Sequence, residues 1–225
     1  MIQIPYEWLE EAAERIAPHI LKTPLTYDPC NDLYLKWENH QTTGSFKLRG
    51  ALNKVLSLPE EARQRGLVAA SAGNHGQGLA VAGKLVGAPV TIFASEHAVP
   101  AKIEAMRLLG AEVRLVPGGY GEAEQAALQH TREAGATWVS PYNDRLVIAG
   151  QGTVAMETRS QLPALDSFTW VTPVGGGGLA AGICAALHPA GSGADPHRLG
   201  DQDLIGVQSE ASPFAYSLFH GGRQQ

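Results

Sequence analysis

The feature that most constrains this chain is an alternation of short, β-branched apolar runs with longer stretches of helical periodicity. The apolar runs are Leu67–Ala70, Val90–Ala94, Glu112–Val116, Thr137–Ser140, Phe168–Val174 and Leu204–Gln208. Each is four to seven residues long and mostly apolar on both faces, the pattern of strands covered by helices from both sides. Between them, helical periodicity covers Glu7–Ile16, Phe46–Leu56, His75–Val86, Val99–Leu109, Glu122–Ala134, Gly152–Gln161 and Leu179–Leu187. The first of these puts Leu9, Ala12, Ala13 and Ile16 on one face, behind Pro5 at the helix start. Such alternation predicts an α/β fold with a mainly parallel sheet and right-handed crossovers. No linker divides the chain. The stretch Pro189 to Asp203 is rich in Gly, Pro, Asp and Ser and reads as a surface loop between a helix and a strand.

Composition narrows the function. With 44% hydrophobic and 17% charged residues, the 225-residue chain is globular. A net charge of −5 without Lys/Arg blocks argues against nucleic acid or an anionic membrane as the main partner. No apolar run approaches the roughly 18–20 residues of a membrane helix. The amphipathic, acidic Met1–Glu11 stretch is not a signal peptide, and Cys30 and Cys184 lie too far apart in sequence for a CxxC pair. Metal-ligand spacing is absent, so no metal site is expected. These features describe a cytoplasmic α/β enzyme.

Three segments carry candidate chemistry. In Thr43-Gly44-Ser45-Phe46-Lys47-Leu48-Arg49-Gly50-Ala51, Ser45 is placed to cap a helix with Lys47 in its first turn. The partial positive charge at a helix start favours a neutral amine, the form that reacts with an aldehyde. In Ser71-Ala72-Gly73-Asn74-His75-Gly76-Gln77-Gly78, a strand runs through a glycine turn into a helix. Its free N–H groups, with Ser71 and Asn74 as side-chain donors, suit a carboxylate; Asn-His would serve equally as a helix cap. In Val171-Thr172-Pro173-Val174-Gly175-Gly176-Gly177-Gly178-Leu179-Ala180, four glycines between strand and helix let the backbone close around a phosphate. Gly176-x-Gly178-x-x-Ala181 also fits the dinucleotide fingerprint, but that motif opens the first strand-helix unit of its domain, and here the run comes late. Cys184, between Ile183 and Ala185, reads as an inert core thiol. His97, His130, His188 and His197 read as surface or loop residues. Gly150-Gln151-Gly152-Thr153 reads as the opening of a helix.

The order TGSFKxRGA, SAGNHxQG, PVGGGGL resembles the fold-type II pyridoxal-phosphate enzymes, in their serine/threonine dehydratase and serine racemase branch. The likeness runs from Thr23 to the Gly206-Val207-Gln208 strand. It implies a two-lobed, tryptophan synthase β-like architecture, with a small lobe of residues 57–145 inserted into a large cofactor-binding lobe of residues 1–56 and 146–225. By the same likeness Lys47 carries pyridoxal 5'-phosphate as a Schiff base and acts as the base. Phe46 packs on the pyridine ring and Asn74 bonds the 3′-oxygen. Gly175, Gly176, Gly177, Gly178 and the N–H of Leu179 hold the phosphate, while Ser71, Asn74 and His75 hold the substrate carboxylate.

The implied reaction is dehydration and deamination of L-threonine or L-serine to a 2-oxo acid and ammonia. A racemase, a dehydratase of another β-hydroxy amino acid, or a truncated inactive chain are the alternatives. Ala72 stands where racemases keep a second serine, so Lys47 works from one face and dehydration is favoured. A homodimer acting on a free amino acid is expected. The family runs on past Gln208 and there supplies the partner of the pyridine nitrogen and acidic cation ligands, which this chain lacks. A truncated member should therefore expose apolar sheet surface near Leu204–Val207 and Phe214–Phe219.

Overall fold

The computed structural model describes residues 4–163, 168–188, 202–211 and 213–219. Most of the Pro189–Asp203 stretch lies outside them, as does His197. The chain opens with α1 (Tyr6–Ile16) and a hairpin of β1 (Leu25–Asp28) and β2 (Leu33–Lys36), followed by α2 (Lys47–Leu56) and α3 (Glu60–Gln64). Then come β3 (Leu67–Ala70), α4 (Asn74–Val86), β4 (Val90–Ser95), α5 (Pro100–Leu108), β5 (Glu112–Val116), α6 (Tyr120–Ala134) and β6 (Thr137–Trp138). After them lie α7 (Arg145–Gln161), β7 (Phe168–Pro173), α8 (Gly178–Leu187), β8 (Gln202–Val207) and α9 (Phe214–Phe219).

The strands β5-β4-β3-β6 form a parallel sheet in that order, as the sequence pattern requires. Period-two alternation sorts its residues between two cores. Leu67, Ala69, Ile92 and Ala94 pack with Leu48, Leu52 and Val55 of α2 and Leu79 of α4. Val68, Ala70 and Phe93 pack on the other side, against Ala123 and Ala127 of α6. The edge strand β5 departs from the expected pattern: Glu112, Arg114 and Leu115 are exposed, because an edge strand needs less cover. The Thr137–Ser140 run pairs as a strand only at Thr137 and Trp138.

β7 and β8 form a second parallel sheet. Trp170 and Leu204 face a core built by Leu9, Ala12, Ile148, Ala149 and Ile183. On the opposite face Val171, Ile205 and Val207 are 66%, 50% and 52% exposed. Apolar surface is thus present at Leu204–Val207; the side chains of Phe214, Leu218 and Phe219 lie outside the described ones.

Two expectations are corrected here. Gly150-Gln151-Gly152-Thr153 does not open a helix but lies inside α7. A Cβ on Gly150 would stand 2.7 Å from the Arg49 carbonyl of α2, and one on Gly152 2.7 Å from the Gly182 carbonyl of α8. These glycines let three helix backbones touch. Cys184 is exposed on α8 and not a core residue. Its thiol pKa is nevertheless raised, by partial burial.

Candidate active site

Lys47 is the first residue of α2. Its N–H donates to Ser45 Oγ at 3.2 Å, so the serine serves the helix start from two residues upstream, while Phe46 occupies the cap position. The Lys47 ammonium donates to the Pro141 carbonyl at 2.8 Å and lies 5.3 Å from the centre of the Phe46 ring. No carboxylate lies within ion-pair distance of it among the described residues. Burial lowers its pKa to about 8. The depression expected from the helix start is therefore present, with desolvation as its cause.

The turn after β3 is braced from within. Ser71 Oγ accepts from the N–H groups of Gly73 at 3.2 Å and Gly76 at 3.0 Å, so its oxygen faces the turn's own backbone. Asn74 is exposed at the start of α4. His75 is buried, with Nε2 2.9 Å from the Val139 carbonyl. A carbonyl only accepts, so Nε2 carries the proton. Burial, reinforced by the charge of Lys47, lowers the His75 pKa to about 4 and keeps the ring neutral. The turn and the lysine are mechanically joined, because a Cβ on Gly78 of α4 would come within 3.2 Å of the backbone at Lys47 and Leu48.

Between β7 and α8, Gly177 takes φ +86, a left-handed conformation that disfavours any side chain. Space on the two sides of this loop differs. A Cβ on Gly176 would run into the Tyr142 ring and one on Gly178 would lie 3.0 Å from the Tyr142 backbone, whereas Gly175 and Gly177 face open space. The first N–H groups of α8 have no partner within the helix. Phe46, Pro173 and Leu179 line one cavity of about 1010 Å³ together with the β1–β2 hairpin, whereas Lys47, Asn74 and the loop glycines are not part of its lining.

Sequence reasoning missed the segment that ties these parts together. Pro141 accepts from Lys47, and the adjoining Tyr142 fills the underside of the glycine loop. Tyr142 also bonds Tyr120 of α6, whose hydroxyl pKa is raised chiefly by burial. Nothing in the run Ser140-Pro141-Tyr142 signals contacts to residues so distant in the chain. Also missed was the charge network beneath α2. Arg49, fully buried, grips Glu38 with two bonds of 2.8 Å and Glu157 with one of 3.0 Å. Lys36 joins Glu157 at 2.5 Å and Gln161 at 2.7 Å. Among the described residues no group of three or more His, Cys, Asp or Glu side chains is arranged to hold a metal ion, and no helix is long and apolar enough to cross a membrane.

A family model described as pyridoxal-phosphate dependent enzyme matches residues 16–225. The chain is 42% identical to an L-threonine ammonia-lyase of Geobacter sulfurreducens, over 97% of this chain and 54% of that protein. It is 41% identical to an L-threonine ammonia-lyase of Thermotoga maritima, over 99% of this chain and 54% of that protein. Among solved structures, the processed form of threonine deaminase isoform 2 from Solanum lycopersicum superimposes with a TM-score of 0.85 at 31% identity, covering 97% of this chain and 60% of that one. Serine racemase from Dictyostelium discoideum gives 0.86 at 32% identity, covering 99% and 71%. The chain spans about half the length of the curated relatives it matches.

Proposed function

The chain belongs to the family of pyridoxal-phosphate dependent enzymes, and from that membership we propose that it eliminates water from L-threonine or L-serine, releasing a 2-oxo acid and ammonia. The observation that carries the proposal is Lys47, a buried amine with a pKa of about 8 and no carboxylate beside it among the described residues. Such an amine is available to an aldehyde near neutral pH.

The residues fit the cofactor. Around the glycine loop, the space beside Gly175 and Gly177 is open. Gly175 to Gly178 with the N–H of Leu179 would hold the phosphate, Phe46 would cover the ring, and Asn74 would reach the 3′-oxygen. Lys47 is the point of attachment and, as a free amine, the base that takes the α-proton. When bound, pyridoxal phosphate supplies the electron sink for the carbon that loses this proton. Ser71 braces the turn that would bind the carboxylate, where Asn74 and the N–H groups of Asn74 and His75 would hold it; the His75 ring is already engaged by Val139.

Ala72 is exposed beside this turn and has no proton to give, which supports elimination over racemisation. The reading includes a homodimer in the cytoplasm acting on free amino acids, and a small lobe of residues 57–145 set into a larger one. Borohydride reduction of the cofactor-loaded protein, followed by peptide mapping, tests it. The expected outcome is a reduced adduct on Lys47, absent in Lys47→Ala, and 2-oxo acid formed from L-threonine. An adduct on Lys36 or Lys54, or no product from either amino acid, overturns it.

A further inference from the structure

We propose that Lys102 binds the substrate carboxylate and makes the site select amino acids with a free α-carboxylate. The inference rests on the functional reading above and adds a residue to it. In a parallel sheet, ligands collect at the carboxyl ends of the strands. β3 and β4 are neighbours, so the Ser71–Gly73 turn after β3 adjoins the segment that leads from β4 into α5. Lys102, in the first turn of α5, crosses that gap. Its Cδ and Nζ each lie 3.5 Å from the point where a Cβ on Gly73 would stand. These are ordinary contact distances, so the end of the Lys102 side chain lies against the turn at Gly73.

The charge at Lys102 has no counter-ion among the described residues. Its α5 neighbours Pro100, Ala101, Glu104 and Arg107 line a different surface depression together with Glu96, and Lys102 is not part of that lining. The turn itself brings N–H dipoles but no formal charge, and Lys47 is committed to the cofactor. Lys102 therefore supplies the full positive charge that a carboxylate meets at Gly73. A neutral amide in place of the carboxylate would gain nothing from it.

The test is a titration of the cofactor's visible absorbance in the loaded 225-residue protein with L-threonine and, separately, L-threoninamide. For a solvent-facing ion pair, Lys102→Gln should raise the half-saturating concentration of L-threonine about fivefold. It should leave that of the amide unchanged, and Lys102→Arg should restore the wild-type value. Added salt should weaken L-threonine binding in the wild type more than in Lys102→Gln. Equal binding of L-threonine by wild type and Lys102→Gln, or an equal loss for both ligands, overturns the role of Lys102 while leaving the functional reading in place. A wild-type spectrum that responds to neither ligand overturns both.

Discussion

Lys36 and Lys47 are both half-buried cations, and they are treated in opposite ways. Lys36 sits in a network of two cations and two carboxylates, with Glu157 at 2.5 Å and Glu38 and Arg49 beyond it. Burial lowers its pKa, but Glu157 works against the shift. Among the described residues Lys47 has the Pro141 carbonyl and the Phe46 ring but no carboxylate to offset its desolvation. The network is folding machinery, since it joins the Glu38 turn, α2 and α7 at one point. The lysine without a carboxylate partner is a cost to folding, borne where the proposed function requires a reactive amine. Partnering, more than burial, separates a structural charge from a working one.

The largest expected effect comes from breaking the network at its centre. Arg49→Met leaves Glu38 with only the Thr23 hydroxyl, and Glu157 with Lys36 and Thr23, both in a half-buried setting. Removing one member of a buried ion cluster costs about 3–5 kcal/mol. Urea unfolding of the cofactor-free chain should show that loss. A cost below about 1 kcal/mol would mean that the network carries no more than a surface salt bridge.

Lys47→Met should have a smaller effect with the opposite sign. At neutral pH both folded and unfolded chains hold the Lys47 proton, so the wild type bears the full desolvation cost. Between about 8, the folded pKa, and the ordinary 10.5, the folded chain has lost a proton that the unfolded chain keeps. Wild-type stability therefore rises with pH across that window, and above it the cost is gone. The variant has no such dependence. It should be about 1–3 kcal/mol more stable than wild type at pH 7, with the gap closing toward pH 10.5. A variant less stable than wild type at pH 7 would show that the Pro141 bond outweighs desolvation.

Sequence made the four-stranded sheet and the desolvated Lys47 legible for different reasons. The strands β3 and β4 are apolar on both faces, and such a run has few alternatives. Lys47 is visible because Ser45-Phe46-Lys47 stands in order with two other motifs, although desolvation and not the helix start depresses its pKa. The β1–β2 hairpin was not legible. Its Tyr27 and Tyr34 pair across the strands with rings 4.9 Å apart, yet both face outward, so no buried stripe announces it. Gly150 and Gly152 mislead because a glycine pair reads as a break when the helix it touches cannot be seen. Arg49 belongs to a recognisable motif, but its partners Glu38 and Glu157 lie in separate segments, and nothing local connects them.

Lys36→Met is the finest discriminator, because it removes a cation of the same type from the partnered side. Glu157 keeps Arg49 at 3.0 Å and still accepts from the Thr23 N–H, so no carboxylate is left without a partner. The variant loses the bonds of the ammonium to the Thr23 carbonyl, Glu157 and Gln161, but it also escapes the desolvation that lowers the Lys36 pKa. These terms largely offset, which leaves a net loss of about 1 kcal/mol. The sign is what matters: Lys36→Met should destabilise the chain at pH 7, where Lys47→Met stabilises it. Parallel urea titrations of the two variants at pH 7 read the contrast directly. If both substitutions stabilise, Glu157 does not offset the burial of Lys36, and partnering does not distinguish the two lysines.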